Sequence, residues 1–183
     1  MVRAVGSPVK LYLACGMKRV PGYHHVDISS ACNPDQAWDL MDMSKRWPWH
    51  GVSEILIEHY IEHIPHGPGG KDYFIRFFER CWHVLKPNGT MTVRFPWYSS
   101  IGAFSDPTHV RFITPMTFSY LSREWLKNRK IEHYDMDCDF EVVKIEGGMA
   151  AHVEPLPENE RNHAVFTQWN ASHEGTATLR AIK

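Results

Sequence analysis

Residues His59 to His66 read HYIEHIPH. His59, Glu62 and His63 form the string H-x-x-E-H, two imidazoles on one face if the segment is helical. Such a pair can hold zinc while the glutamate activates water, which is hydrolytic chemistry. A second set of residues suits a nucleoside. Gly16 follows one apolar run and Asp27 closes another. Glycine lets a ligand approach the backbone, and an acid at the end of a second strand can accept from two ribose hydroxyls. A third set lies in SDPTHVRFIT, with Asp106, His109 and Arg111. The Arg111 fork suits an anionic substrate group, or else a salt bridge to Asp106 that fixes the loop. Trp97 and Tyr98 either stack on a substrate ring or cover the core.

These residues need elements to position them. Val9 to Ala14 reads as a buried strand stopping at Cys15-Gly16, and Tyr23 to Ile28 as a second. Only about ten residues join their cores, too few for a crossover helix, so an irregular loop is expected there. Glu54 to Glu58 reads as a strand. Tyr73, Phe74, Phe77, Phe78, Cys81, Trp82 and Leu85 recur at helical spacing, predicting a helix over 72–85 that stops at Lys86-Pro87-Asn88-Gly89. Thr90 to Phe95 follows as a strand, completing a βαβ unit and predicting a parallel sheet. Thr114 caps a helix that begins at Pro115 and runs to about Lys127. Phe140 to Glu146 is a strand. Ala164 to Trp169 and Thr176 to Ile182 are read as a hairpin turning near His173, with residues 147–162 as a surface loop. In an open parallel sheet, ligands bind beyond the carboxyl ends of the strands. Gly16, Asp27, Glu58, His59, Trp97 and Tyr98 all fall at such ends.

The 183 residues suit one domain. Net charge is −1 and the isoelectric point about 6.9, which gives no strong nucleic-acid signal. No apolar run reaches the ~18 residues of a bilayer span, and the start MVRAVGSPVKLYLACG has no signal-peptide pattern. Cys15, Cys32, Cys81 and Cys138 are widely spaced, which predicts reduced thiols and a cytoplasmic setting. Oligomeric state stays open. Trp47 and Trp49 are expected to cover the core, His66 and His173 to face solvent, and the adjacent His24 and His25 have no evident partner.

Several segments together resemble the small class I S-adenosylmethionine-dependent methyltransferases, in particular their short type 11-like branch. They are LYLACGMKRVPGYHHVDIS, WDLMDMSKRWPW, IEHYIEHIP, WHVLKPNGTMTVRFP and SDPTHVRFIT, spanning residues 9 to 125. The resemblance implies a Rossmann-like α/β fold with a mostly parallel twisted sheet, an antiparallel C-terminal hairpin and no first crossover helix. It implies S-adenosyl-L-methionine as cofactor. Ala14, Cys15 and Gly16 would pass under its methionine part. Asp27 would bind the ribose, with Ile28 beside the adenine and Asp39 and Leu40 at the adenine edge and face. Glu58 and His59 would border the sulfonium. Ala14 and Asn88 stand where the family usually has glycine.

On this reading the H-x-x-E-H string is the turn after a strand, and the helix-breaking IPHGPGG that follows argues against a zinc-protease helix. No metal is therefore expected. Methyl transfer needs alignment, plus a base only when the acceptor is protonated. His59 is the candidate base. Glu62 and His63 orient it or cap the next segment, and His63 and His109 are further catalytic candidates. Trp97, Tyr98, Asp106, His109 and Arg111 are candidate substrate contacts. The expected organisation is one methyltransferase domain over 1–183. Residues 9–98 form its cofactor half, 99–130 a substrate loop and helix, and 131–183 the C-terminal strands. The expected reaction is methylation of an oxygen or nitrogen on a small-molecule or glycan-type substrate. The alternatives are an S-adenosylmethionine-binding protein without transferase activity and, less favoured, a zinc hydrolase.

Overall fold

The computed structural model describes residues 9–67 and 69–183. The first half of the stretch MVRAVGSPVKLYLACG, read as lacking a signal-peptide pattern, lies outside the described residues. A seven-stranded sheet runs through the molecule in the order β3-β2-β1-β4-β5-β7-β6. Its strands are β1 (Lys10–Leu13), β2 (His24–Asp27), β3 (Gln36–Ala37), β4 (Val52–Glu58), β5 (Leu85–Pro96), β6 (Phe140–Met149) and β7 (Ser172–Ala181). Strands β3, β2, β1, β4 and β5 pair in parallel, and β7 is antiparallel to both β5 and β6. The mostly parallel sheet with its antiparallel C-terminal pair is the architecture expected. Among the described residues, no helix is long and apolar enough to cross a membrane.

Helix α1 (Tyr73–Val84) buries Phe74, Phe77, Phe78, Cys81 and Val84 against the sheet, the stripe its spacing predicts. Asp72 caps it, its carboxylate accepting from the Phe74 amide at 2.8 Å. The core beneath collects Leu11, Leu13, Ile55, Ile57, Met91, Val93 and Phe95 from alternate strand positions.

The β1–β2 connection is the irregular loop expected, and polar contacts hold it where a helix would otherwise pack. His25 is buried and accepts from the Val20 amide at Nε2 (2.9 Å), so its Nδ1–H donates to Asp35 at 3.0 Å. His24 meets Gln36 at 3.3 Å. The two histidines thus have partners that no neighbouring residue announces. Arg19 donates to the carbonyls of Gly16 and Asn33 at 3.1 and 2.7 Å and also reaches Cys32. Lys18 reaches back to Glu58.

Three expectations are corrected. The helix starting at Pro115 is broken into α3 (Pro115–Ser119) and α4 (Arg123–Arg129), with α2 (Gly102–Ser105) preceding them. Between the two, Leu121 turns fully into the core, its carbonyl accepts from the Phe140 amide, and the Ser122 hydroxyl restarts the helix by capping Trp125. Ala164 to Trp169 is not a strand, because α5 (Glu158–Thr167) occupies it. Glu158 and Glu160 sit at the positive end of α5, and Ala164 and Val165 face inward. Ala164 packs with Ala150, Val153 and Ala171 in a small second cluster. Residues 147–162 are a surface loop only in their middle: they also hold the end of β6, the buried Ala150 and Val153, and the start of α5. Strand β7 pairs antiparallel with β6 on one side and β5 on the other, not with residues 164–169.

Candidate active site

A cleft of about 490 Å³ opens beyond the carboxyl ends of β1, β2, β3 and β4. Ala14, Gly16, Asp27, Ile28, Asp39, Leu40, His59 and His63 line it, so most of the predicted cofactor set converges there. Trp38, Met41, Tyr60, Ile64 and Pro65 also line it and were missed, although each adjoins a predicted residue or continues its turn. A larger groove of about 780 Å³ lies between the start of α1, α3 and residues 133–136 and contains none of these groups.

Asp27 is buried at the end of β2. Its two oxygens each accept one backbone N–H, from Gly16 at 2.8 Å and Ser29 at 2.9 Å. A carboxylate has about four acceptor positions, so each oxygen keeps one for a ligand hydroxyl. Ala14, Gly16 and His59 all have left-handed backbone, with φ of 51°, 52° and 49°. For Ala14 and His59 that conformation costs free energy, and such strain gathers where a site over-determines the backbone. Ile28 is 68% exposed in the cleft wall, an apolar surface open to a planar ligand.

His59 is half-exposed in the turn after β4. Its Nε2 lies 2.7 Å from Glu174 and its Nδ1 3.4 Å from Glu62. Glu62, and then Glu174, raises its pKa above the usual imidazole value against the opposing effect of burial. Both nitrogens face carboxylates, an arrangement that stabilises the charged form of the ring.

The H-x-x-E-H string does not form a protease helix. Ile61–His63 is a single 3₁₀ turn. Glu62 is 1% exposed and neither of its carboxylate oxygens accepts a hydrogen bond. Its backbone carbonyl accepts from Val110 and Arg111 at 3.0 and 3.2 Å, drawing the SDPTHVRFIT segment onto the turn. The His63 and His109 rings lie 4.7 Å apart at their centroids.

Other predicted residues lie elsewhere. Cys15 is buried and donates to the Gly16 carbonyl. Glu58 is enclosed by Lys18 and Arg94, at 2.5 and 2.8 Å, and by the Tyr12 hydroxyl. Burial opposes its ionisation, yet these partners hold its pKa below the usual carboxylate value. It anchors the loop and does not border the cleft. Trp97 is 2% exposed, and its indole N–H donates to Val165, so it covers the core. Tyr98 is half-buried beside it. Arg111 pairs neither with Asp106 nor with an open anion site. It binds Asp72 at 2.8 Å and the carbonyls of Ile64 and Pro65 at 2.6 and 2.8 Å. Asp106 instead accepts from the Thr108 amide and hydroxyl.

Two buried thiols are unsuited to nucleophilic work. Burial pushes Cys81 well up and Cys138 up to about 12. Near His109, an exposed aromatic group forms from Phe104, Phe112 and Trp169, with Phe104 centred 4.5 and 5.3 Å from the other two rings. Periodicity could not reveal it, because its members come from three separated segments.

The strand order and the cleft can be set beside solved structures. A methyltransferase dependent on S-adenosylmethionine from Archaeoglobus fulgidus superimposes with a TM-score of 0.62 at 15% identity, covering 96% of this chain and 86% of that one. The chain has the class I methyltransferase fold. A Burkholderia thailandensis 1,6-didemethyltoxoflavin-N1-methyltransferase, solved with bound 1,6-didemethyltoxoflavin and S-adenosylhomocysteine, aligns with a TM-score of 0.52 at 14% identity over 96% of this chain and 72% of that one. The N-methyltransferase NodS of Bradyrhizobium japonicum gives 0.54 at 10% identity, covering 96% and 86%. No protein-family model and no curated protein matches by sequence. In this methyltransferase fold the carboxyl ends of the strands carry the cleft, where the switch-point rule places a nucleoside ligand.

Proposed function

We propose that the protein binds S-adenosyl-L-methionine in the 490 Å³ cleft and transfers its methyl group to an oxygen or nitrogen of a small-molecule or glycan-type acceptor. The observation that carries this reading is Asp27: a buried carboxylate at the end of β2, on the methyltransferase fold, with one acceptor position left on each oxygen. Asp27 takes the ribose diol, Ile28, Asp39 and Leu40 surround the adenine, and the left-handed turn at Ala14–Gly16 passes under the methionine part. The cofactor supplies an activated methyl carbon when bound. The chain's own residues hold it, orient it and exclude water. Phe104, Phe112 and Trp169 offer ring faces to a ring-bearing acceptor, which supports the small-molecule or glycan class. The whole chain works as one catalytic unit, its cofactor half ending near Tyr98. Four free cysteines support a reducing, cytoplasmic setting.

Calorimetry with S-adenosylmethionine and S-adenosylhomocysteine tests the reading. Saturable binding of both is expected, and binding of neither refutes it. Turnover on a panel of hydroxyl and amine acceptors then separates an enzyme from a protein that only binds the cofactor.

A further inference from the structure

Behind the cleft, Glu62, His63 and His109 bring one ligand atom each to within 4.8 Å of one another. Glu62 is the unusual member. Its carboxylate is almost wholly buried and accepts no hydrogen bond, and the His59 ring stands 3.4 Å away. A buried carboxylate without hydrogen bonds is strongly destabilising unless something else neutralises it. The two histidines are also prepared. The Thr108 hydroxyl donates its single proton to Asp106 at 2.6 Å, so at 2.9 Å it must accept from His63 Nδ1. His109 Nδ1 lies 3.1 Å from the Ala103 carbonyl and donates to it. Each ring is therefore held in the tautomer that leaves its lone pair on Nε2. Outer hydrogen bonds fix ligating histidines in this way.

We infer that Glu62, His63 and His109 form a site for a divalent transition-metal ion, which holds and activates the oxygen of the methyl acceptor. Two imidazoles and one carboxylate suit Zn²⁺, Co²⁺ or Mn²⁺, whereas Mg²⁺ and Ca²⁺ prefer all-oxygen sets. Three protein ligands leave positions open for an acceptor. His63 also lines the cofactor cleft, so the ion stands between the cleft and the SDPTHVRFIT segment. The acceptor role rests on the methyl-transfer reading; the metal site itself does not. In that step the acceptor hydroxyl gives its proton to solvent. Its oxygen pair forms the O–CH3 bond, the S–CH3 bond breaks, and that pair returns to sulfur, leaving a neutral thioether.

The test strips the protein with a chelator and titrates Zn²⁺ by calorimetry and Co²⁺ by its visible absorption. One ion per chain is expected, with Mg²⁺ failing to compete. Outer-sphere changes alone weaken metal sites by ~10–100-fold, so Glu62→Gln and His109→Gln should weaken binding by ~100-fold or more. Circular dichroism and S-adenosylhomocysteine binding report whether each variant folds, and His63→Asn provides a further variant if one does not. Absence of stoichiometric binding, or equal affinity in wild type and folded variants, overturns the site. Metal binding without cofactor binding supports the site and removes the methyl-transfer reading. Cofactor binding without metal binding does the reverse. Turnover that survives metal removal overturns the activating role.

Discussion

Asp27 uses both carboxylate oxygens to hold the backbone of the turns flanking the cleft, at Gly16 and at Ser29. Its remaining acceptor positions are charged, and hydrogen bonds to charged groups contribute ~1.5–3 kcal/mol. Asp27→Ala is expected to weaken S-adenosylmethionine by ~10–100-fold in calorimetry, and Asp27→Asn to keep the fold with a smaller loss. Ala14 sits at φ 51°, where glycine has no steric penalty. Ala14→Gly should raise unfolding free energy by ~0.5–1 kcal/mol in denaturant melts while leaving cofactor affinity near wild type. Glu58 makes the pH prediction. Its folded pKa lies below the usual carboxylate value, so its pairing with Lys18, Arg94 and Tyr12 stabilises above that value and is lost as pH falls through the folded pKa. Glu58→Gln should therefore be less stable than wild type by ~1–3 kcal/mol at pH 7, and the two melting curves should converge as the pH is lowered through the folded pKa. A gap that persists in acid would refute this account of Glu58. The strand-end residues of the cleft were legible because their position follows from strand and turn signals. The partners of Glu58 and Arg111 were not, because Lys18, Arg94 and Asp72 are brought to them only by the completed fold.

At the scale of elements, periodicity made β1, β2, β4 and α1 readable. It failed where packing overrides it. The run AVFTQW has strand-like residues, yet α5 claims its first half because Ala164 fits among Ala150, Val153 and Ala171. The break between α3 and α4 is likewise set by Leu121 entering the core, which no local spacing announces. Strand β7 carries a tighter constraint. A Cβ on Gly175 would lie 2.4 Å from the Phe95 ring and 3.0 Å from Trp97. Both rings are buried between the main core and α5, so neither can swing away. Gly175→Ala is expected to lower unfolding free energy by ~1–3 kcal/mol, the usual cost of overpacking, as read in chemical denaturation.

At the scale of the molecule, the cleft gathers groups from β1, β2, β4 and the turns between them, so a ligand there bridges segments far apart in the chain. Cofactor at ~100 times its dissociation constant should stabilise the native state by ~2.7 kcal/mol, visible as a rise in melting temperature that Asp27→Ala abolishes. The helix-free link between β1 and β2 has a further consequence, for folding. Leu11 meets His24 across a short loop, whereas Thr90 must find Arg180 from the far end of the chain. Loop-closure entropy grows with the length enclosed, so the β1–β2 pair costs less to close than the β5–β7 pair. The chain carries this corner of the cleft as an early-closing unit. In pulsed hydrogen exchange during refolding, the amides of β2 should gain protection before those of β7, the strand that completes the sheet.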